Sequence, residues 1–245
     1  MLIIPAVDLH QGKCVRLTQG KFDNETVYSN DPVFVAKMWQ TKGAKRLHLI
    51  DLDGAYKGCV QHWDIIKEIR QSLTIPIEVG GGIRKLKVVD KLVKIGIDKI
   101  IITTVLISDP QEAKKIINKY KDKIMVAVDV YDEDKLAIGA WKDQVPINIK
   151  EFLEKISSLG VEEVVVTDIH REGMLQGVDI NKINKFLDLT QTVGLKVIIS
   201  GGITSLEDIK QIKQLENKGV TGIIIGKALY AGTLSFEEAQ KIANS

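Results

Sequence analysis

Short apolar runs alternate along the chain with longer segments in which apolar and polar positions follow a helical period. Eight runs rich in β-branched residues are the predicted strands 1 to 8: Leu2–Val7, Arg46–Asp51, Ile75–Val79, Lys99–Thr103, Ile124–Val130, Glu163–Thr167, Lys196–Ser200 and Gly222–Ile225. The runs are almost continuously hydrophobic, which is typical of strands that are covered on both faces. The pattern therefore predicts a parallel sheet with helices packed against it.

The segments between the runs carry helix signals. From Leu206 to Leu215 an apolar residue recurs at every third position, which predicts one buried helix stripe. Asp109 and Pro110 predict a helix start, with an N-cap residue before a first-turn proline. Ser235 and Glu238 predict a capping box at the start of the last helix.

The eight β-then-α units follow one another without a linker or a low-complexity segment. This order favours closure into a barrel over an open doubly wound sheet. A length of 245 residues is common for such a barrel as one domain. We predict an α/β fold, a single (β/α)8 TIM barrel, with residues 1–245 as one catalytic domain.

Two parts of the chain resemble each other. The matching segments are residues 4–8 and 125–129, 50–52 and 167–169, 79–83 and 199–203, and 100–102 and 223–225. Their nearly constant spacing predicts two duplicated half-barrels, about residues 1–122 and 123–245. The longest connections, about residues 9–31 after strand 1 and 131–148 after strand 5, then lie on opposite sides of the barrel mouth, where barrel enzymes carry their active sites.

Glycines follow several strands. Gly201 and Gly202 follow strand 7, while Gly226 and Lys227 follow strand 8, the pair of loops at which barrels often bind phosphate. Glycine lets the backbone approach an anion closely and direct N–H groups at it. We predict a phosphate site there, with Gly177 after strand 6 as a weaker candidate.

The duplication predicts a second phosphate site after strands 3 and 4. Its candidate residues are Gly81, Gly82, Arg84, Thr103 and Thr104, where the threonines offer hydroxyl and N–H donors. A small-molecule substrate with a phosphate at each end would fit across the barrel mouth.

Asp8 and Asp129 end strands 1 and 5, so their carboxylates should face each other from opposite walls of the mouth. A single aspartate at a strand end usually braces its loop. Two at equivalent positions predict a general acid and a general base. Thr167 and Glu172, at and after the end of strand 6, are further candidates for orienting the substrate or moving a proton.

Two other residues complete the candidate site, and a nearby histidine is expected to be structural. Trp141, in the loop after strand 5, can stack on a planar ring of the substrate. Arg16, in the loop after strand 1, is a candidate ligand for the substrate. His48, within strand 2, is expected to line the barrel.

Composition argues against several classes of function. The 34 basic and 32 acidic residues give a net charge of +2, which predicts neither nucleic acid nor a membrane as a partner. The two cysteines and four histidines show no metal-ligand spacing, so we expect no metal. Leu2–Pro5 lacks a basic leader, and no apolar stretch reaches the ~18 residues of a membrane span, so we expect a soluble cytoplasmic protein.

The motifs in combination resemble a known family over the whole chain. They are Ile4-Pro5-Ala6-Val7-Asp8-Leu9, Val15-Arg16-Leu17 with Gly20, His48-Leu49-Ile50-Asp51-Leu52-Asp53-Gly54-Ala55, Val79-Gly80-Gly81-Gly82-Ile83-Arg84, Thr167-Asp168-Ile169 and Ser200-Gly201-Gly202-Ile203. The sequence is similar to the phosphoribosylformimino-5-aminoimidazole carboxamide ribotide isomerases of histidine biosynthesis. The resemblance implies an aldose–ketose isomerase that works by an Amadori rearrangement, without metal or cofactor.

The resemblance also implies roles for the site residues. Asp129 acts as the acid that helps to open the ribose ring to a Schiff base, and Asp8 removes the proton from the second sugar carbon. Two departures affect this transfer. The family often has Asp-Gly-Thr after strand 6, where this chain has Glu172-Gly173-Met174, and it usually has Gly-Thr at the end of strand 4, where this chain has Thr103-Thr104.

Three further functions remain compatible with the sequence. The cyclase subunit of imidazole glycerol phosphate synthase is a related barrel, but it typically has Cys-Leu-Asp where this chain has Ala6-Val7-Asp8. An isomerase that also accepts phosphoribosylanthranilate would use the same chemistry. A non-catalytic phosphosugar-binding barrel would need neither of the two strand-end aspartates. We expect a monomer in each case.

Overall fold

All eight predicted strands are present in the computed structural model, which describes residues 1–132 and 135–245. The strands are β1 (Leu2–His10), β2 (Lys13–Thr18), β3 (Lys21–Ser29), β4 (Leu47–Asp51), β5 (Ile77–Gly80), β6 (Lys99–Ile102), β7 (Ile124–Asp132), β8 (Lys135–Ile138), β9 (Asp143–Pro146), β10 (Glu163–Asp168), β11 (Lys196–Ser200) and β12 (Val220–Ile225). Predicted strands 1 to 8 are β1, β4, β5, β6, β7, β10, β11 and β12. These pair in parallel in that order, and β12 pairs with β1 and closes the ring. The predicted (β/α)8 TIM barrel is confirmed.

The two long connections contain β-hairpins, which the sequence analysis did not predict. β2 and β3 extend β1 as an antiparallel hairpin, and β8 and β9 extend β7 in the same way. β3 is mostly exposed and polar, so its sequence shows no apolar run that would indicate a strand. Residues 133 and 134, in the predicted loop after strand 5, lie outside the described residues. Both hairpins project from the carboxyl ends of their barrel strands and flank the mouth.

Helices cover the outside of the barrel. They are α1 (Pro32–Thr41), α2 (Leu52–Lys57), α3 (Trp63–Ser72), α4 (Leu86–Lys94), α5 (Thr104–Ser108), α6 (Pro110–Tyr120), α7 (Ile149–Ser158), α8 (Ile180–Thr192), α9 (Leu206–Lys213), α10 (Lys227–Tyr230) and α11 (Phe236–Asn244). Asp109 caps α6 as predicted. Ser235 caps α11 by accepting a hydrogen bond from the Glu238 N–H, but the Glu238 side chain does not return the bond that the predicted capping box requires. Ser205 and Asp208 form a reciprocal capping box on α9. Among the described residues, no helix combines the length and apolar character needed to cross a membrane.

Two apolar clusters stabilise the barrel. The larger one packs the outer faces of the strands against the helices. The smaller one fills the barrel interior and contains Ile4, Ala6, Ile101, Met125, Val165, Ile198 and Ile224. Burying one large aliphatic side chain contributes about 1.5–3 kcal/mol to the free energy of unfolding. Because these side chains fill the interior, the barrel encloses a packed core and not a pore. The barrel is open at the carboxyl ends of the strands.

Candidate active site

One pocket occupies the barrel mouth, with a cavity volume of about 240 Å³. The predicted site residues that line it are Asp8, Arg16, Gly81, Gly82, Arg84, Thr103, Thr104, Asp129, Trp141, Thr167, Glu172, Gly201, Gly202, Gly226 and Lys227. Gly177 is placed differently, because it lies behind Gly202, where its carbonyl oxygen accepts a hydrogen bond from Arg171 at 2.9 Å. The barrel therefore brings the two predicted phosphate sites and the predicted acid–base residues to one cavity.

The glycines after β5 and β11 occupy equivalent positions. Gly81 and Gly201 adopt φ values of +105° and +89°, which favour glycine. A Cβ added to either residue would overlap the backbone carbonyl oxygen of Asp51 or Asp168, respectively. Each glycine thus lets its loop pack directly on the backbone that follows the neighbouring strand. The same close approach in both halves is what the internal repeat predicts.

The first predicted phosphate site offers one uncommitted cation. Arg84 lines the pocket beside Gly58 and has no hydrogen bond or ion pair to any residue of 1–132 or 135–245. Thr103 Oγ1 donates to the Ala127 carbonyl at 2.8 Å, so its proton is already used. Thr104 Oγ1 accepts from the Gly139 N–H at 3.2 Å and keeps its own proton for another partner. Arg84 and Thr104 are therefore the available donors of this site.

The second predicted phosphate site contains a lysine that is already engaged. Lys227 Nζ donates to Thr18 Oγ1 at 3.0 Å and to the Gly173 carbonyl at 2.8 Å. Thr18 ends β2, whereas Gly173 lies in the loop after β10. Gln19 adds a further bond between the same segments, because its N–H donates to the Glu172 carbonyl at 3.0 Å. Lys227 thus joins the first hairpin to the loop after β10 at the edge of the pocket.

Asp8 is held by an arginine. Arg16 NH1 donates to Asp8 Oδ2 at 2.6 Å, and Arg16 NH2 donates to the carbonyl oxygen of Ala6. The buried guanidinium also lies 5.0 Å from the centre of the Tyr230 ring, within cation–π range. Burial alone would lower the pKa of Arg16, but the charge of Asp8, together with Tyr230, Cys14 and Glu172, outweighs burial and the pKa is raised. Arg16 therefore lines the pocket as the partner of Asp8.

Asp129 accepts hydrogen bonds from two other candidate residues. Trp141 Nε1 donates to Asp129 Oδ2 at 2.8 Å, and the Thr167 hydroxyl, opposite on β10, also bonds to this carboxyl group. Burial raises the pKa of Asp129, and the bonds from Trp141 and Thr167 offset part of that rise. The Trp141 ring packs flat against Gly20 at the tip of the first hairpin. Trp141 thus links the two hairpins over the carboxyl group.

Glu172 lies in the same pocket without a side-chain hydrogen bond to any described residue. Burial raises its pKa to about 7, with Arg16 acting in the opposite direction and the charges of Asp8 and Asp129 adding to the rise. A carboxyl group with this pKa is still partly protonated at neutral pH. Glu172 can therefore donate a proton under conditions in which an ordinary glutamate has lost it.

The comparison with known families decides where the chain belongs. The model of the family described as "Histidine biosynthesis protein" matches residues 2–235. The chain belongs to this family. The membership that the motifs predict is confirmed.

Relatives in this histidine-biosynthesis family match over nine-tenths or more of their length. A protein from Pelotomaculum thermopropionicum, named 1-(5-phosphoribosyl)-5-((5-phosphoribosylamino)methylideneamino) imidazole-4-carboxamide isomerase, is 44% identical over 244 residues, covering 100% of this chain and 93% of that protein. Proteins of the same name are 44% identical in Desulforudis audaxviator, over 98% of this chain and 90% of theirs, and 40% identical in Syntrophus aciditrophicus, over 100% of both. These names give no support to a cyclase, to an isomerase of phosphoribosylanthranilate or to a non-catalytic binding barrel.

This member of the histidine-biosynthesis family has further pocket residues that the sequence analysis missed or left without a role. His48 lines both the barrel interior and the pocket floor, and Phe22 and Leu175 form apolar parts of the wall. Ser200 and Thr204 flank the second glycine pair. The sequence signal that could have indicated Ser200 and Thr204 is their position next to that glycine pair.

A polar cluster near the pocket at the barrel mouth is occupied by internal hydrogen bonds. Asp51, Asp53 and His62 each place one potential metal-ligand atom within 4.8 Å of the others. The Asp51 carboxylate already accepts from the N–H groups of Gly54, Gln61 and His62 at 2.6–3.0 Å and contacts the His62 ring at 2.8 Å. These bonds saturate the carboxylate and tie the loop after β4 together.

Proposed function

We propose that this chain isomerises the bis-phosphorylated N-(5-phosphoribosyl)formimino-aminoimidazole carboxamide ribotide to its ribulosyl form, as the names of its relatives indicate. The observation that carries the proposal is a single pocket in which Asp8, Asp129 and Glu172 lie between two glycine-rich loop pairs. An aldose–ketose isomerisation needs one group that gives a proton and another that removes one. A substrate with two phosphates needs an anion site at each end.

The reaction requires proton transfers at the ring oxygen, at the first two sugar carbons and at the hydroxyl group on the second carbon. The acid protonates the ring oxygen while the C1–O bond breaks, and the nitrogen lone pair forms the Schiff base. Asp8 then removes the proton from the second sugar carbon, and the electron pair shifts towards nitrogen to give the enolamine. The enolamine collapses to the ketose when carbon 1 is reprotonated and the hydroxyl group on the second carbon releases its proton to become the carbonyl group. Arg16 keeps Asp8 in place for this step through its 2.6 Å contact.

Local bonding favours Glu172 as the acid. Asp129 accepts hydrogen bonds from Trp141 and Thr167, and both bonds favour its ionised form. Glu172 has no such donor within the described part of the chain, and its pKa is raised to about 7. We therefore assign proton donation to Glu172, and we assign to Asp129 the holding of Trp141 and of the opened sugar. The resemblance alone implied Asp129 as the acid.

The two phosphates are assigned to the two glycine sites. One end would bind at Gly81, Gly82, Arg84 and Thr104, and the other at Gly201, Gly202, Gly226 and Lys227. Arg84 supports the first assignment because it is a cation without a partner among the described residues. At the second end, a phosphate would compete with Thr18 and Gly173 for the Lys227 ammonium group. The phosphate would thereby be coupled to the contact between the two loops.

Further proposals concern the two halves of the barrel, the oligomeric state, the cellular location and the partners of the protein. We propose two half-barrels, about residues 1–122 and 123–245, because the hairpins after β1 and β7 and the close glycine approaches recur in both. We also propose a cytoplasmic monomer that needs no metal or cofactor and binds neither nucleic acid nor membranes. The balanced charge of +2 supports the last point.

The test is turnover of the bis-phosphorylated aminoaldose by the purified chain without added metal, followed by coupling to an excess of the downstream cyclase. Wild type should turn over, and Asp8→Asn should lose activity by a factor of about 10² or more while still binding substrate. Asp188→Asn is the matched control, because Asp188 lies on α8, is largely exposed and forms an ion pair with Lys218, outside the pocket lining. Binding without turnover by wild type would contradict the proposal and leave a phosphosugar-binding barrel.

A further inference from the structure

A histidine in the barrel interior connects the pocket to a buried ion-pair network. His48 lies on β4 opposite Glu78 on β5, and His48 Nδ1 is 2.6 Å from Glu78 Oε1. Glu78 is fully buried, and its Oε2 is 3.3 Å from Arg46 NH1. Arg46 NH1 lies at the same distance, 3.3 Å, from Glu163 Oε2. The network therefore ends at an imidazole under the pocket, and the isomerisation described above uses none of these groups.

The second ring nitrogen of His48 is open to the pocket. His48 lines the cavity, and its Nε2 has no hydrogen-bond partner among residues 1–132 and 135–245. Asp129 and Glu172 line the same cavity. Nε2 is therefore a polar atom that the floor of the pocket offers to a ligand that also contacts these carboxyl groups.

Glu78 decides what kind of partner Nε2 can take. An ionised carboxylate only accepts hydrogen bonds, and Glu78 forms an ion pair with Arg46 through a 3.3 Å contact. The proton between the two residues must then reside on His48 Nδ1. In a neutral imidazole with Nδ1–H, the other nitrogen carries a lone pair and accepts a hydrogen bond. The natural donor for such an acceptor in this pocket is a hydroxyl group.

We propose that Glu78 is a positioning residue that fixes the tautomer of His48, and that His48 Nε2 accepts a hydrogen bond from a sugar hydroxyl of the substrate. The inference rests on the proposed function, because it takes a ribose phosphate as the ligand. The bond would hold the sugar at the pocket floor while its phosphates are held at the rim. That anchoring sets which sugar carbon faces Asp8.

The tautomer is measured by NMR on the full chain labelled with ¹⁵N-histidine, in which only four histidines contribute signals. Long-range ¹H–¹⁵N spectra distinguish Nδ1–H from Nε2–H rings. We expect His48 as the Nδ1–H tautomer in wild type and in Glu163→Gln, the matched control. Glu78→Gln should populate Nε2–H, because an amide can accept or donate. A wild-type His48 protonated at Nε2, alone or together with Nδ1, would overturn the proposal.

Kinetics provide the second readout. Glu78 and Glu163 both contact Arg46 at 3.3 Å, so both glutamines weaken the same network, but only Glu78 touches His48. We expect Glu78→Gln to lower kcat/KM about tenfold, the effect of one hydrogen bond, and Glu163→Gln to leave it unchanged. Equal losses in the two variants would indicate a structural role and overturn the inference.

The two proposals fail separately. If wild type does not turn over the aminoaldose, the proposed function fails, whatever tautomer His48 adopts. If wild type turns over and Glu78→Gln matches it in both kcat/KM and the His48 spectrum, only the inference on Glu78 fails. A deoxysugar analogue that lacks the bonded hydroxyl should abolish the difference between wild type and Glu78→Gln. A difference of the same size with every deoxy analogue would overturn the assignment of His48 to a hydroxyl.

Discussion

Arg16 and Asp8 form a buried ion pair at the barrel mouth, with Arg16 NH1 2.6 Å from Asp8 Oδ2. The two residues come from adjacent strands of one hairpin, because Asp8 pairs with Val15 in the β1–β2 register and Arg16 follows directly. Arg16 also donates to the Ala6 carbonyl, which fixes the guanidinium in the plane of β1. The base assigned to the reaction is therefore oriented by its own strand and hairpin before any substrate arrives.

Removing Arg16 should damage both stability and activity. Arg16→Met leaves Asp8 without its partner, and breaking a buried pair in this way typically costs about 3–5 kcal/mol in the free energy of unfolding. We expect a loss near the lower value, because the Asp8 side chain is 16% exposed. Urea unfolding at pH 7 measures the first effect, and kcat/KM of the folded enzyme, expected to fall at least tenfold, measures the second.

Arg70→Met is the control for Arg16→Met. Arg70 NH1 also pairs with an aspartate, Asp98, at 2.9 Å, but Asp98 is 42% exposed and neither residue lines the pocket. The control should lose less stability and keep the kcat/KM of wild type. Equal kcat/KM values for Arg16→Met and wild type would show that Asp8 does not depend on Arg16.

Glu172 should give the enzyme a basic limb in its pH profile. The protonated form donates, so kcat/KM should fall as the pH rises through the pKa of about 7. Glu172→Gln should lose activity by about 10²-fold or more and show no such limb, while Glu172→Asp should restore part of the activity. Glu162→Gln, on an exposed side chain before β10, is the matched control. A basic limb that persists in Glu172→Gln would assign the acid to Asp129.

The same group makes stability depend on pH with a defined sign. In the folded protein Glu172 keeps its proton up to about pH 7, whereas the unfolded chain releases it near the ordinary glutamate pKa of 4.5. The folded state thus binds more protons between these values, and the free energy of unfolding contributed by this group falls as pH rises from 4.5 to 7. Glu172→Gln should lack this decrease in urea unfolding series.

The sequence predicted the barrel because the signal for each barrel strand is local. An apolar run such as Ile100–Ile102 needs no knowledge of its neighbours to be recognised as a buried strand. The strand-end positions of Asp8 and Asp129 and the glycine pairs follow from the same pattern. For this reason the predicted site residues could be found without coordinates, and all of them except Gly177 line the pocket.

Roles that depend on pairing across the fold were not predictable. Arg16 and Lys227 were expected to bind substrate, but only the register of β1 with β2 reveals that Arg16 faces Asp8, and only the meeting of two loops reveals that Lys227 contacts Gly173. The raised pKa of Glu172 likewise arises from burial among charges that are distant in the chain. β3 was missed because an exposed polar strand carries no apolar signal.

Gly20 and Trp141 should act together in closing the pocket. A Cβ at Gly20, whose φ is +67°, would overlap the indole ring of Trp141. Gly20→Ala should therefore displace Trp141, change its fluorescence and raise KM about tenfold. Gly12→Ala is the control, since Gly12 has a similar φ of +78° but open space around its Cβ position. The Trp141→Phe, Gly20→Ala double variant should show little further loss over Trp141→Phe. Additive losses would mean that the two positions act independently.

Asp51 and Asp168 test how far the duplication extends beyond the backbone. The two aspartates are the last residues of β4 and β10, at positions that match in the internal repeat. Asp51 accepts three backbone N–H groups and contacts the His62 ring at 2.8 Å. Within residues 1–132 and 135–245, Asp168 accepts one N–H, from His170 at 3.1 Å, and its other oxygen has only ion contacts at 3.6–3.8 Å. Asp51 is therefore held by more hydrogen bonds than Asp168, although the two residues match in the repeat.

Asp51→Asn should therefore cost much more stability than Asp168→Asn. Hydrogen bonds to a charged group contribute about 1.5–3 kcal/mol each to the free energy of unfolding. In Asp51→Asn the asparagine NH2 would also face N–H donors. We therefore expect a loss of about 3 kcal/mol or more for Asp51→Asn and about 1 kcal/mol for Asp168→Asn.

Burial acts to raise the pKa of Asp51, but hydrogen bonds from His62, Gln61 and Gly54 outweigh burial and lower the pKa. A lowered pKa gives stability that is present above the unfolded value of 3.8 and is lost as pH falls through the folded pKa. Urea unfolding at pH 7 should separate the two variants, and the gap between wild type and Asp51→Asn should narrow in acid. Equal losses at pH 7 would show that the two halves share side-chain bonding as well as backbone form.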